Sequence, residues 1–538
     1  MSASRLDLFC VTLSAAVLSG ISAAGALPPP TRSAAQVAPK PTHCVAWVPP
    51  KPTHCAAWVA ASTAAEPPLP SGLEDQKKEK KKPPADEPAL PGGLEDHAEP
   101  KLPGGLEKDE EPKLPTGLTK PTGPKPQPKP KKDLKWLDLT GFWEVRGGVR
   151  TQHDPYQRSA SLGETRLQLE WEKTFANLTF KLVGDLLCDP VLGHHTVDLE
   201  DGQGLFDLRQ ANVLFTPVSF MDVKLGRQIL TWGTGDLVFI NDLFPKDWPS
   251  FLIGRDVEYL KAPSDALKIS LFSDVVNVDL VYTPRFDPDR FIRGRRISYF
   301  SPMLGRRAGR DAVIRADIPN EWFDDSEWAV RIRRKLGPTE LAAYGYWGYW
   351  KSPAGMNPLT GRSIFPRLSV YGASVRSQVG KGIGNVEAGY YDSRQDADGD
   401  NPFVNNSELR LLVGYERDLP EIASDLTVAA QYYVEWMIAH EAYRRALPAG
   451  VPRAHEIRQV VTLRVTKKLM NQNLTLSLFA FYSPSGDDMY LRPNVQYKID
   501  DHWTVEIGGN VFVGSHRHTF FGQFERDTNL YCSLRYGF

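Results

Sequence analysis

The chain has 538 residues, a formal net charge of −1 and 41% hydrophobic residues. The near-neutral balance argues against a general nucleic-acid binder, and a mean hydropathy of −0.35 argues against a helical membrane protein. Beyond the first 26 residues there is no apolar run of about 20, so no internal transmembrane helix is available. A transmembrane β-barrel is not excluded, because the lumen-facing half of such a barrel is polar.

Residues 1–26 read as a secretory signal peptide. Arg5 supplies a weak positive n-region, Leu8 to Ala26 is apolar and small, and Ala24-Gly25-Ala26 has an A-x-A cleavage pattern. The cysteines beyond it, Cys44, Cys55, Cys188 and Cys532, are too few for a disulfide scaffold.

Residues 27–133 are dominated by Pro, Lys, Glu and Ala. Such a segment cannot bury enough apolar surface to offset its conformational entropy, so a disordered, partly polyproline-like periplasmic tether is expected. Two short repeats lie in it. Lys40-Pro-Thr-His-Cys-Val-Ala-Trp47 recurs as Lys51-Pro-Thr-His-Cys-Ala-Ala-Trp58, and Leu-Pro-x-Gly-Leu starts at Leu69, Leu90, Leu102 and Leu114. The His43-Cys44 and His54-Cys55 pairs match neither a structural zinc spacing nor the c-type haem signature, so no metal and no cofactor is expected. Contact with peptidoglycan or a periplasmic protein through 27–133 is the expected role.

From Leu134 the texture changes to segments of about ten residues with alternating polarity. In 142–150, Trp143, Val145 and Val149 oppose Glu144, Arg146 and Arg150. In 165–172, Leu167, Leu169 and Trp171 oppose Arg166, Gln168, Glu170 and Glu172. The same alternation recurs to the end of the chain and predicts about eighteen strands. Short links such as Phe175-Ala-Asn177, Gly337-Pro-Thr339 and Asp500-Asp501 alternate with long ones near 187–204, 232–264, 286–326, 351–366, 394–406, 439–455 and 514–526. Tight turns alternating with long loops predict an all-β, antiparallel, up-and-down transmembrane barrel over 134–538. Its polar faces carry charges at a density that a dry core cannot hold but a wet lumen can, for example Arg331, Arg333 and Lys335. Aromatics near strand ends, among them Tyr344, Tyr346, Trp347, Trp350, Tyr390, Tyr391, Tyr432, Tyr433 and Trp503, suit interfacial girdles facing outer-membrane lipid.

The last strand puts Leu530, Cys532, Leu534, Tyr536 and Phe538 on one face. It resembles the closing strand of bacterial outer-membrane barrels, which implies recognition by the barrel-insertion machinery through Phe538. The stretch Leu225-Gly-Arg-Gln-Ile-Leu-Thr-Trp-Gly-Thr-Gly-Asp236, followed by Asp242, Pro245 and Asp247, resembles the Gly-Arg-Gln…Trp-Gly…Asp signature of long-chain outer-membrane porins related to alginate-export proteins. That resemblance implies an eighteen-stranded barrel in the bacterial outer membrane that passes solutes or an exported polysaccharide passively.

Gly226 and Gly233 permit close backbone approach. Arg227 is placed to pair with Asp236 or Asp242 and, with Trp232, to anchor the following loop. That loop carries Leu237, Val238, Phe239, Ile240, Leu243, Phe244, Trp248, Phe251 and Leu252, so it is expected to fold inward or contact a partner; the expected role is a pinned constriction, and the alternative is direct solute recognition by Trp232 or Asp236. The predicted pore-lining residues are Arg146, Arg166, Arg331, Arg333, Arg410, Arg458, Arg464 and Arg492, sharing the lumen with Glu144, Glu170, Glu387, Glu408 and Glu506. The next loop holds Arg285, Arg290, Arg293, Arg295, Arg296, Arg306, Arg307, Arg310 and Arg315, readable as a solvated basic face, an anion attractor or a binder of lipopolysaccharide phosphates. Neither Gly-x-Ser-x-Gly nor His-Glu-x-x-His occurs, so no enzyme is expected. The expected function is passive diffusion of small anionic or polar solutes. The alternatives are an export conduit for an anionic polysaccharide and a plugged structural barrel that anchors the envelope.

Overall fold

The computed structural model describes residues 139–192 and 197–538. The expected signal peptide, the tether and its His-Cys repeat lie outside the described residues. The barrel strands are β1 Leu139–Arg150, β2 Ala160–Phe175, β3 Leu178–Cys188, β4 Phe206–Val218, β5 Met221–Ile229, β6 Pro263–Leu271, β7 Asn277–Thr283, β8 Glu327–Leu336 and β9 Thr339–Tyr349. They continue as β10 Arg367–Val379, β11 Gly382–Ser393, β12 Glu408–Asp418, β13 Leu426–Met437, β14 Ile457–Leu469, β15 Leu474–Ser483, β16 Asp488–Lys498, β17 Trp503–Gly514 and β18 Asn529–Gly537. They form one 18-stranded sheet in which neighbours in sequence pair antiparallel, and β1 pairs with β18 as well as β2. The sheet is therefore closed, and no barrel strand is left with an unpaired edge.

The polarity of the wall is inverted relative to a soluble sheet. Outward residues are apolar and exposed, as in Trp328 and Ile332 on β8, Leu409, Leu411 and Val413 on β12, and Leu530 and Leu534 on β18. Their neighbours one position away face inward and are polar or buried, as with Glu327 and Arg331, Glu408 and Arg410, and Tyr531 and Ser533. Period-2 alternation makes each strand carry both faces.

The connections are equally one-sided. At one rim the links are short: 176–177, 219–220, 337–338 and 380–381. At the other they are long: 189–205, 230–262, 284–326 and 515–528, although β15 and β16 are joined there by only 484–487. Both ends of the barrel lie at the short-turn rim, where Gly141 and Phe538 exchange backbone hydrogen bonds of 3.1 and 3.0 Å.

The aromatic girdle differs from the expectation in its membership. Trp347, Tyr390 and Tyr432 do face outward near the long-loop rim, joined by Trp328, Tyr371, Trp436 and Tyr482. Tyr346, Trp350, Tyr391 and Tyr433 are instead buried in the barrel interior. The reason is the same alternation: of two adjacent aromatics in a strand, such as Tyr390 and Tyr391, only one can face out.

Candidate functional site

The segment 230–262, between β5 and β6, lies inside the barrel. Its greasy residues dictate this: Ile240, Phe244, Phe251, Leu252, Ile253 and Leu260 are buried against inward wall residues Leu368, Val370, Leu412, Phe479, Phe481 and Tyr490. Phe251 meets the rings of Tyr490 and Phe481 edge-on at 5.7 and 6.4 Å. Each such side chain contributes about 1.5–3 kcal/mol relative to exposure. Within the segment, Trp248–Ile253 forms helix α1, started by the Asp247 side chain accepting from Ser250 N and ended by left-handed Gly254.

The anchors are not the predicted pairs. Arg227 does not reach Asp236 or Asp242. It forks onto Asp265, directly across β5–β6, with bonds of 2.9 and 2.8 Å, and approaches Glu200 at 3.4 Å. A strand-to-strand partner at fixed register outcompetes one in a loop. Asp242 accepts from Thr231 Oγ1 at 2.7 Å and pairs with Lys246 at 3.0 Å, bracing the segment against itself. Asp236 pairs across the lumen with Arg464 at 2.5 Å, and Arg464 also holds Glu416 at 2.7 Å. Trp232 packs at 4.9 Å on Phe244, with the Arg331 guanidinium 5.2 Å from its ring centre.

The anchor that sequence reasoning assigned elsewhere is Glu387, on β11. Its buried carboxylate accepts from Thr234 N, Thr234 Oγ1 and Gly235 N at 2.7, 3.0 and 3.2 Å, and from Asn241 N and Nδ2 at 2.8 and 3.0 Å. Gly233 makes this approach possible, as its φ is +83° and a Cβ there would lie 3.0 Å from Glu387 Oε1. Donors converging on one carboxylate give a charge-assisted clamp on the turn that enters the segment. Only the Gly233-Thr234-Gly235 spacing hinted that a backbone nest would seek an anion.

The predicted lining residues separate into two groups. Arg146, Arg166, Glu144, Glu387 and Glu408 face inward but are covered by protein. Arg146 bridges Glu144 and Glu506 at 2.6 and 2.7 Å and donates to Gly254 O. Arg166 joins Glu164 and Asp185, with its guanidinium 4.0 Å from the Tyr259 ring centre. Residues 254–260 of the inward segment cover this stripe, so these arginines are structural ion-pair partners and do not line open space. The same neighbourhood holds Arg255, Arg209 and Tyr259, none of them predicted. Glu408 pairs with Arg410 at 2.6 Å; Arg410 stacks at 3.9 Å on Tyr391, and Glu435 lies 3.7 Å from Arg410 and 3.6 Å from Arg458. In the second group, Arg333, Arg458, Arg464 and Glu170 keep a quarter to a third of their side-chain surface exposed. Arg331 is less open and pairs with Asp279 at 2.6 Å.

Open space lies on the short-turn side of the inward segment. A cavity of about 400 Å3 is lined by Asp236, Asp256, Arg464, Arg492, Asn494 and Glu506 among others. A second, of about 200 Å3, shares Asp236 and Arg464 with it and adds Arg376, Asn385, Glu416 and Gln431. A third, of about 590 Å3, shares Arg376 and Glu416 with the second and opens among the turn residues Lys335, Lys381 and Arg417. Arg464 and Asp236, both predicted, therefore stand where the spaces meet. Arg376 and Lys381 were not predicted, because a charge next to a turn has no alternation partner to mark it. Most loop arginines are tied to carboxylates: Arg290 to Asp207 and Asp247, Arg293 to Asp201, Arg296 to Asp189, Arg306 to Asp311 and Arg307 to Glu525. No metal-ligating cluster of His, Cys, Asp and Glu occurs among the described residues.

No family model and no curated protein matches the chain. Similar solved structures include OccD3 (OpdP) of Pseudomonas aeruginosa, at 10% identity, covering 74% of this chain and 91% of that one, with a TM-score of 0.43. OccAB3 of Acinetobacter baumannii has 10% identity, 74% and 99% coverage and a TM-score of 0.43. OmpT, an outer-membrane protein of Vibrio cholerae, has 12% identity, 74% and 98% coverage and a TM-score of 0.31.

Proposed function

We propose that the protein is a bacterial outer-membrane channel for passive diffusion of small polar or anionic solutes, narrowed by the segment 230–262. The observation that carries this reading is the inverted wall: an apolar outer belt around an interior whose open spaces are lined by charge. Lipid contacts the belt, water fills the spaces, and solute passes beside the Asp236–Arg464 pair. The anion bias rests on Arg376, Lys335 and Lys381 at the short-turn mouth, with Arg333 held only loosely, 3.9 Å from Asp279, because carboxylates neutralise the deeper arginines. A positive mouth raises the local concentration and entry rate of anions.

The test is conductance in planar bilayers under a salt gradient. Anion-biased reversal potentials are expected, with a smaller bias after Arg331→Gln together with Arg333→Gln. An unchanged reversal potential would remove that pair from the path. The plugged-barrel alternative is favoured by one observation, the apolar cluster joining the inward segment to β15–β17. It predicts bilayer insertion without conductance.

A further inference from the structure

Among the loop arginines that no carboxylate answers, two converge on one acceptor. Arg158, in the link between β1 and β2, donates to the carbonyls of Pro190 and Val191 at 2.8 and 2.9 Å. Arg310, in the link between β7 and β8, donates to the same Val191 carbonyl at 2.7 Å. One carbonyl thus gathers two guanidiniums, both exposed. Among the described residues neither has a carboxylate within ion-pair distance, whereas the adjacent Arg150 is answered by Asp527 and Arg296 by Asp189. Of the other carboxylates nearby, Asp154 is buried and occupied by Ser298 Oγ and Tyr156 N, and Asp311, next in the chain to Arg310, is held by Arg306 and Gly309 N. Burial and the cations Arg158, Arg296 and Arg150 hold the Arg310 guanidinium below its ordinary value, against the opposing pull of Asp189.

The position of the cluster selects its partner. Val191 packs where a Cβ on Gly163 would point, 3.3 Å from its Cγ2. Gly163 shares its face of β2 with Leu167, and Leu167 pairs with the exposed, outward Leu186. The Val191 carbonyl therefore sits at the outer side of the wall, at the long-loop rim, and not in the lumen. A solute entering the pore would not meet it; a headgroup in the surrounding leaflet would.

We propose that Arg158 and Arg310 form a docking site for a phosphate group of a phosphorylated glycolipid in the outer leaflet. Each guanidinium has N–H groups beyond those bonded to Pro190 and Val191, and two forks side by side match the oxygens of one phosphate. The proposal rests on the membrane reading above but not on conduction.

The test uses the full-length protein in detergent, titrated with a diphosphorylated, acylated glucosamine disaccharide and followed by native mass spectrometry. The doubly substituted Arg158→Gln/Arg310→Gln protein is expected to bind about tenfold more weakly than wild type, the loss of one good charge-assisted contact. The dephosphorylated lipid should bind wild type as weakly as it binds the variant, and Arg315→Gln, in the same loop, should bind like wild type. Equal binding by the double variant, equal binding of the dephosphorylated lipid, or an equal loss in Arg315→Gln would overturn the assignment. Displacement of the lipid by equimolar inorganic phosphate would also overturn it, in favour of a site for free anions. Heat-modifiable electrophoretic mobility reports that each variant is a folded barrel. Wild type that fails to insert into bilayers would overturn the membrane reading and this proposal together, while inserted protein without phosphate-dependent binding would overturn this proposal alone.

Discussion

Glu387 is the residue on which the inward segment most depends. Among the described residues no arginine or lysine bonds its carboxylate; backbone and side-chain groups of residues 234, 235 and 241 satisfy it. Glu387→Ala would strip five donors of their acceptor, at about 3 kcal/mol or more. The expected outcome is a loosened segment 230–262, seen as faster hydrogen exchange at 233–241 and a larger, noisier conductance. Unchanged exchange there would show that packing of the apolar face suffices. A second pair of residues links the long loops to pH. Burial, with Glu327 nearby, pushes Asp287 up to about 7, and burial, with Asp154 nearby, pushes Asp527 up to about 7. Both hold loops at the rim: Asp287 accepts from Ser264 Oγ and Asp265 N, and Asp527 from Arg150 and Ser298 N. Raised carboxyls bind protons more tightly folded than unfolded. Their contribution is full below about pH 4 and is lost as pH rises through about 7. Proteolysis of the long loops should therefore be slower at pH 5.5 than at pH 8, and Asp287→Asn with Asp527→Asn should flatten the difference. Faster cleavage at pH 5.5 in wild type would contradict the assignment.

At the scale of elements, α1 is held by its cap. Gly254 has φ +90°, and a Cβ there would lie 2.2 Å from Tyr531 Cδ1 on β18. Gly254→Ala combines a strained backbone with a clash against the wall, worth about 1–3 kcal/mol. It should lower the temperature of the heat-modifiable transition; an unchanged transition would mean that the segment shifts freely in the lumen. The strands were legible in the sequence because an apolar outer face and a polar inner face impose a strict period of two, and a one-residue slip would invert both faces. The turn and loop alternation was legible for the same reason. The inward course of 230–262 was legible from its apolar content, since nothing else could bury Phe251 and Leu252. Its fastenings were not. Arg227 chose Asp265 and not Asp236 because register across β5–β6 brings them face to face, and register between strands that a long loop separates is absent from any local pattern. Likewise, alternation told which way Arg146 and Arg166 point but not that residues 254–260 would cover them.

At the scale of the whole molecule, closure between β1 and β18 converts alternation into a barrel with an apolar outer belt. Phe538 contributes twice, by its backbone bonds to Gly141 and by an exposed ring on the outer face. Deletion of Phe538 is expected to reduce the amount of assembled barrel in outer membranes while the refolded protein in detergent keeps its β content, as recognition by the insertion machinery would require. Equal assembly with and without Phe538 would remove that role. The interior divides into a packed side under the long loops and a side of open, charge-lined cavities toward the short turns, and the proposed conduction depends on whether solute can pass between them beside Asp236 and Arg464. Single-channel recording of the full-length protein in planar bilayers tests this directly. Discrete openings with an anion-biased reversal potential are expected, with a conductance that changes on Arg464→Ala. Insertion without any conductance, or a clear cation preference, would contradict it.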